Sequence, residues 1–317
     1  MYWRERACTP LNCTEESINM QHAPLRIDKY TVVREIGRGT GGVVYLCTDE
    51  GDDGAKFAIK SINRERIKRL GVEKYTKQEL RLQRKLNHEN ILPIIDVLIS
   101  PHHIYVVTPY CEQGDLEDVL SRRRITGTPD ADDEWAKCII RQVALAIQHC
   151  HSRGISHRDI KCVNVFLTAD NVVKLGDFGF STECTKNNMR LSIVGTVHYV
   201  APEVLLRCPY NPMRADIYSF GALIYRILAD RTVGGDGDSD GYESICVEWE
   251  SSDDYSIKSE EEEEEIIRNG RHVSGEWIAI FPEHVCKSAR SLVMDMIQID
   301  PLLRPSIDDV LAHPWLN

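Results

Sequence analysis

The chain has 317 residues and a mass of 36.1 kDa, room for about two domains of ordinary size. Hydrophobic residues make up 42% and charged residues 27%, a soluble globular balance, and no run of about 18 uncharged apolar residues is present to span a bilayer. The net charge of −11 is lopsided: residues 234–265 hold 14 Asp or Glu against Lys258 alone, which leaves the rest of the chain at +2.

Global acidity therefore says little about partners, although neither nucleic acid nor a membrane is expected as one. The opening MYWRERACTP lacks an apolar core of the kind secretion requires. Eleven cysteines are scattered without a C-x-x-C pair, which fits reduced thiols in the cytoplasm or nucleus better than disulfides or zinc.

Residues 1–28 are polar and aperiodic and are expected to form a mobile tail. From Tyr30 short β-branched runs begin: YTVVREIG, GGVVYLCTD and KFAIKSI, joined by Gly- and Asp-rich turns, predict three strands. A basic helical stretch follows through Lys85, then strands in ILPIIDVLIS and HIYVVTPY. After Gly114 the pattern becomes helical. Trp135, Ile139, Val143, Ile147 and Cys150 recur at helical spacing, with Gly154 as a C-terminal cap. A second apolar helix is predicted from Ala215 to Ala229. A strand-rich first half and a helix-rich second half indicate an α+β chain of two lobes. The acidic stretch 234–265, with its glycines and low hydrophobicity, is expected to be a solvated, largely disordered insertion, though the run Glu260–Glu265 is also suited to starting a helix.

Gly37-x-Gly39-x-x-Gly42-x-Val44 lies between two predicted strands, not between a strand and a helix. That context disfavours a Rossmann dinucleotide site and suits a hairpin whose backbone approaches phosphates; a plain Gly-rich turn fits equally well. Sixteen residues on, FAIK places Lys60 on the third strand, where its ammonium needs a partner, and the helical stretch offers Glu79. The second half carries the decisive order: SHRDIKCVN (Ser156–Asn164), then GDFG (Gly176–Gly179), then APE (Ala201–Glu203). Asn164 and Asp177 supply hard oxygens for Mg²⁺, Asp159 can accept a hydroxyl proton, and Lys161 can neutralise a transferring phosphoryl group. A dozen specified residues in this order arise by chance on the order of 10⁻¹³ of the time, at average residue usage.

From about Lys29 to Trp315 the chain resembles a eukaryotic protein kinase, and Lys161 with Thr196, in GTVHYVAPE, follows the serine/threonine pattern. The stretches VGTVHYVAPEVL and IQIDPLLRPSIDDVLAHPWLN are similar to those of calmodulin-dependent and checkpoint kinases. The resemblance implies an α+β bilobal fold: a β-rich N-lobe over 29–110, a mainly helical C-lobe over 111–317 containing the acidic insertion, and ATP with Mg²⁺ in the cleft between them. It implies a Lys60–Glu79 ion pair, Asp159 as catalytic base beside Lys161, and Asn164 and Asp177 as metal ligands. It assigns Ile36, Gly37, Gly39, Gly42, Val44, Ala58, Lys60, Thr108, Pro109 and Cys111 to the nucleotide, with Thr108 as gatekeeper and Pro109–Cys111 as hinge. Asp216 would brace the catalytic loop, Arg304 would pair with Glu203, and Arg158 would take a phosphate on the segment Asp177–Glu203.

Ser192 is the first candidate for that phosphate, added by an upstream kinase or by the chain itself, ahead of Thr185 and Ser181. Departures from the pattern are Gln83 in place of a spine Leu or Met, and Val163 and Arg226 where basic-directed kinases carry acids; Asp115 stays acidic. Cys162 is expected to serve packing and not as a redox switch, and His88, His102 and His103 to be structural or solvent-facing and not metal ligands. The expected activity is transfer of the ATP γ-phosphate to protein substrates. A nucleotide-binding pseudokinase scaffold is the alternative, and a related small-molecule phosphotransferase is disfavoured by the complete segment ending in Ala-Pro-Glu. Oligomeric state is left open.

Overall fold

The computed structural model describes residues 25–39, 41–49, 51, 54–125, 133–184, 188–196, 198–206, 208–230, 244–247, 255–256 and 281–317. Most of the predicted tail, Thr185 and much of the acidic insertion, the Glu260–Glu265 run included, lie outside these residues. The chain forms two compact units. One comprises the chain up to Asn87 together with Leu92–Glu112; the other comprises His88–Ile91 and the chain from Gln113 onward.

The first unit is a six-stranded antiparallel sheet with two helices. Strands β1 (Arg26–Ile27), β2 (Tyr30–Gly39), β3 (Gly42–Asp49), β4 (Lys56–Asn63), β5 (Asp96–Ile99) and β6 (His103–Pro109) lie in the spatial order β1-β2-β3-β4-β6-β5. Helix α1 (Arg64–Arg69) starts where Asn63 accepts the backbone N–H of Arg66 at 2.9 Å, and α2 (Glu73–Lys85) follows. Alternation along the strands builds two cores. Cys47, Ile59, Tyr105 and Val107 face one side with Tyr30 and Leu98. Ile62, Ile104, Val106 and Val97 face the other and are covered by Ile67 of α1 and Leu80 of α2.

The second unit is mainly helical, as expected. Strand β7 (Gly114–Asp115) leads into α3 (Leu116–Ile125), and α4 (Asp133–Ser152) buries Ile139, Ile140, Val143 and Ile147 completely. Gly154 takes φ +66° just after α4 and closes it with an N–H to His151 O at 3.0 Å, the predicted cap. Short strands β8 (Ile155–Ser156), β9 (Val165–Leu167), β10 (Val173–Leu175) and β11 (Thr182–Glu183) frame the loops that carry the motifs. Beyond them come β12 (Asn188–Met189), β13 (Ile193–Thr196), α5 (Pro202–Leu205) and α6 (Pro212–Ala229). Helix α6 begins earlier than its apolar period suggests, because Asn211 caps the N–H groups of Met213 and Arg214 and Pro212 fits the first turn. After α6 come strands β14 (Ser244–Val247) and β15 (Tyr255–Ser256), and then α7 (Lys287–Met296) and α8 (Ile307–Leu311), the last opened by a capping box of Ser306 and Asp309.

Within residues 234–265, the described parts Ser244–Val247 and Tyr255–Ser256 are strands. Ile245-Cys246-Val247 is the one β-prone apolar run in that acidic stretch, and average composition concealed it. Among the described residues, no helix is long and apolar enough to cross a membrane.

Candidate active site

Of the predicted nucleotide residues of the first unit, Gly37, Val44, Ala58, Lys60 and Thr108 share one face of its sheet. Antiparallel register pairs Gly37 with Val44, Val44 with Lys60 and Lys60 with Val106; two residues along, Leu46 pairs with Ala58 and Ala58 with Thr108. Side chains two apart on a strand point the same way, so both rows present to one side. The far end of that face is sealed by α1 and α2, whereas Ile36, Val44, Ala58, Thr108 and Pro109 are only half-buried. Lys60 Nζ lies 3.9 Å from Glu79 Oε1, the predicted pair. Thr108 Oγ1 donates to Ala58 O at 3.2 Å, and Cys111 is buried.

The three glycines of the hairpin differ in what requires them. Gly42 has φ +132°, and a Cβ there would sit 2.3 Å from Ser61 O, so the fold itself demands glycine. A Cβ on Gly39 would meet no protein atom within 4 Å, and one on neighbouring Gly41 would approach Lys60 Nζ to 3.3 Å. The hairpin thus has open space at Gly39, while the Lys60 side chain packs close against Gly41. A groove of about 440 Å³ elsewhere on this unit, lined by Ile67, Lys77, Leu80 and Val97 among others, includes none of the predicted residues.

Gln83, the departure in α2, is buried and donates through Nε2 to Leu92 O at 2.9 Å. A backbone carbonyl of the same unit satisfies this polar group, so its presence in the spine position needs no outside partner.

In the second unit, Asp216 of α6 organises the loop after β8. Its Oδ2 accepts the backbone N–H of His157 at 2.9 Å and its Oδ1 that of Arg158 at 2.8 Å; His151 Nε2 lies 2.9 Å from Oδ2. Burial alone would raise the Asp216 carboxyl. The His151 hydrogen bond, the His151 and His157 charges and the Arg158 N–H outweigh it and hold the group below the usual carboxylate range. Arg158 adopts the left-handed φ of +65°, a strained conformation that this double anchor sustains. The His157 ring bridges the next two segments, with Nε2 2.9 Å from Gly176 O and Nδ1 accepting from Asp159 N at 3.3 Å. It packs on Phe178, which is fully buried, with ring centroids 4.7 Å apart.

Asp159 is the centre of the unit's polar network. Lys161 Nζ lies 2.9 Å from its Oδ2, Asn164 Nδ2 donates to the same oxygen at 3.0 Å, and Thr196 Oγ1 donates to Oδ1 at 3.0 Å. Lys161 also donates to Thr196 Oγ1 at 2.7 Å, and Asn164 Nδ2 to Asp159 O at 2.8 Å. All four residues are buried. The Asp159 oxygens are thus met by one cation and two neutral donors.

Asp177 sits on exposed backbone at φ +54° between buried Gly176 and Phe178, and its Oδ1 accepts from Gly179 N at 3.3 Å. Gly176 N donates to Asn164 O at 2.9 Å and joins the two segments. Asn164 spends its amide nitrogen on Asp159, which leaves its oxygen for other work. A carboxylate and an amide oxygen are hard donors that suit Mg²⁺ when phosphates complete its shell, so these residues fit the ion. Among the described residues no cluster of three or more His, Cys, Asp or Glu forms a separate metal site.

Arg158 also reaches the predicted phosphate acceptor. Its Nη1 donates to Ser192 Oγ at 2.7 Å and its Nε to Phe180 O at 2.6 Å, while Tyr210 OH donates to Ser192 O at 2.9 Å. Ser192 is half-buried, and Ser181, the weaker candidate, is buried. Arg304 forms the predicted fork on Glu203, at 2.6 and 2.8 Å. Arg226 is occupied by Glu117 and Asp230. Asp115 is pushed up to about 6 by burial, reinforced by the nearby charges of Asp118 and Glu117. Burial likewise lifts the Cys162 thiol to about 12 and lowers the imidazoles of His88 and His103, in line with structural roles for all three.

Thr196 is the site residue missed at the level of sequence: it marked a pattern there, and only the fold shows it touching Asp159. Its place in GTVHYVAPE, a few residues before the Ala-Pro-Glu turn, was the available signal.

The family model for the protein kinase domain matches residues 30–316. The chain is 30% identical over 291 residues to the SNF1-related protein kinase catalytic subunit alpha KIN12 of Arabidopsis thaliana, covering 92% of this chain and 52% of that protein. It is 28% identical to an Aurora kinase of Eremothecium gossypii, over 92% of this chain and 70% of that protein. Against the human serine/threonine-protein kinase Nek5 it is 29% identical, over 92% and 37%. The chain spans about half the length of the curated relatives it matches.

Proposed function

Since the chain belongs to the protein kinase family, we propose that it transfers the γ-phosphate of ATP to serine or threonine hydroxyls of protein substrates. The observation that carries this reading is the buried Asp159 carboxylate, held by Lys161, Asn164 and Thr196. Asp159 receives the acceptor's hydroxyl proton, and Lys161 offsets charge on the transferring group. Lys60, oriented by Glu79, holds phosphate oxygens under the glycine hairpin; Val44, Ala58, Thr108 and the backbone at Pro109 and Cys111 receive the base. Asn164 and Asp177 would hold Mg²⁺, which would supply positive charge to offset the phosphates. The contact of Lys161 with Thr196 at Asp159 supports the serine/threonine assignment, as does the similarity to the serine/threonine-protein kinase Nek5. Free cysteines suit the cytoplasm or nucleus, where thiols stay reduced.

The test is labelled γ-phosphate transfer to a positional-scanning peptide library, with Asp159→Asn as control. Loss of the base should lower turnover by at least about 100-fold. Labelling by neither protein would leave a nucleotide-binding scaffold as the better account, and equal labelling by both would remove Asp159 as the base.

Ser192 is the site at which phosphate tunes this activity, delivered by an upstream kinase or by the chain itself. A phosphate adds roughly −2 charge and makes one to three charge-assisted bonds, and Arg158 already lies within reach. Ser192→Ala should lower kcat by about tenfold, on the scale of one such bond. Full turnover, together with a mass spectrum showing no phosphate at Ser192 in the wild type, would refute the assignment.

A further inference from the structure

The acidic insertion is tied to the segment that carries Thr196. Strand β14 pairs antiparallel with β13 in the register Thr196↔Ser244, Gly195↔Ile245, Val194↔Cys246 and Ile193↔Val247. Strand β15 continues in the same sense along β12, with Met189↔Tyr255 and Asn188↔Ser256. Three residues of the segment and seven of the insertion separate the two ladders. The described parts of the insertion therefore pair with this segment in two short two-stranded ladders, by the backbone bonding that holds an extended peptide.

The register sets which residue of the insertion comes nearest the chemistry. Thr196 Oγ1 donates to Asp159 Oδ1 at 3.0 Å and accepts from Lys161. Directly opposed residues in an antiparallel pair lie about 4.5–5.5 Å apart at Cα. Ser244 is thus fixed one strand spacing from the residue that touches the carboxylate. The next position, Ile245, lies opposite Gly195, which has φ +119° and no side chain to obstruct the approach. Among the described residues of the insertion the other serine, Ser256, pairs with Asn188, well away from Asp159 along the segment.

We propose that Ser244–Val247 is an acceptor strand held in cis and that Ser244 is a self-phosphorylation site. The Ser244 oxygen bonds to the γ-phosphorus of ATP, and the bridging bond between that phosphorus and the β-phosphate oxygen breaks. ADP leaves with the electron pair, and the hydroxyl proton passes to Asp159 and then to solvent. While in place, the strand occupies the edge that an exogenous acceptor peptide would use. This inference rests on the role given to Asp159 above.

The experiment uses the whole chain with Mg²⁺ and ATP, phosphosite mapping by mass spectrometry, and an approximately hundredfold dilution series. Phosphate should appear on Ser244 at a rate per molecule independent of dilution. It should not appear on Ser244 of an Asp159→Asn chain mixed with active wild type. Ile245→Pro removes the backbone N–H opposite Gly195 and should lower KM for an exogenous peptide about fivefold, the scale of one backbone hydrogen bond, with kcat kept. Ser244 phosphorylation that slows on dilution, or phosphate confined to Ser192, Ser251, Ser252 or Ser256, overturns the assignment. Transfer to peptides with Ser244 unmodified and KM unmoved by Ile245→Pro overturns it and leaves the kinase reading intact. A chain that labels neither itself nor any peptide removes both.

Discussion

Asp159 shows how single residues satisfy a buried polar group in this molecule. A carboxylate taken out of water needs donors in place of the water it loses. Lys161, Asn164 and Thr196 replace the lost water with three donors on two oxygens, two of them from residues close in the chain and one from far along it. Asp115 is the opposite case. Burial pushes its carboxyl up from 3.8 to about 6, and the neighbouring acids add to the effect. A carboxyl whose pKa is higher in the folded chain favours folding while protonated; that contribution is full below about pH 4 and is lost as the pH rises through about 6. Asp115→Asn should accordingly match the wild type in Tm near pH 4 and exceed it near pH 8, in thermal melts across that range. A variant no more stable at pH 8 would contradict the sign.

At the scale of elements, buried charge pairs join segments distant in the chain. Arg304, 2% exposed, locks the turn before α8 to Glu203 of α5. Removing one partner of such a pair leaves an uncompensated buried charge and costs about 3–5 kcal/mol. Arg304→Met should lower the unfolding free energy by about that much in urea titrations, and adding Glu203→Met should recover part of the loss. A loss confined to a few tenths of a kcal/mol would show that the pair is solvated.

Elements with strong periodicity were legible in the chain: the three strands around Lys60, helix α4 with its Gly154 cap, and the body of α6. The acidic insertion was less so. Its strands are short, lie among like charges and exist through pairing with distant residues, and local pattern does not carry that information.

At the scale of the whole molecule, the two units were visible as a change from strand to helix grammar, because two-residue and 3.6-residue periods bury different faces. Lys60, Glu79, Asp159, Asn164 and Asp177 were legible as residue types in order. The contacts inside the second unit were not: Lys161 meets Thr196 across 35 positions and Asn90 meets Gln142 across 52. Contacts of that span are set by packing and leave no local trace.

The buried thiols extend this to chemistry on the bench. Cys47 and Cys162 are enclosed and lifted to about 12, and Cys150 is enclosed and lifted further by burial, so none offers a thiolate at neutral pH; Cys138 and Cys286 stand exposed. An alkylating reagent should mark the exposed pair at once and the enclosed three only when a unit opens. Read by mass spectrometry over time, Cys47 would time the opening of the first unit and Cys150 and Cys162 that of the second, so the chain carries its own stopwatch for unfolding; immediate labelling of all five would show that the enclosure is not real.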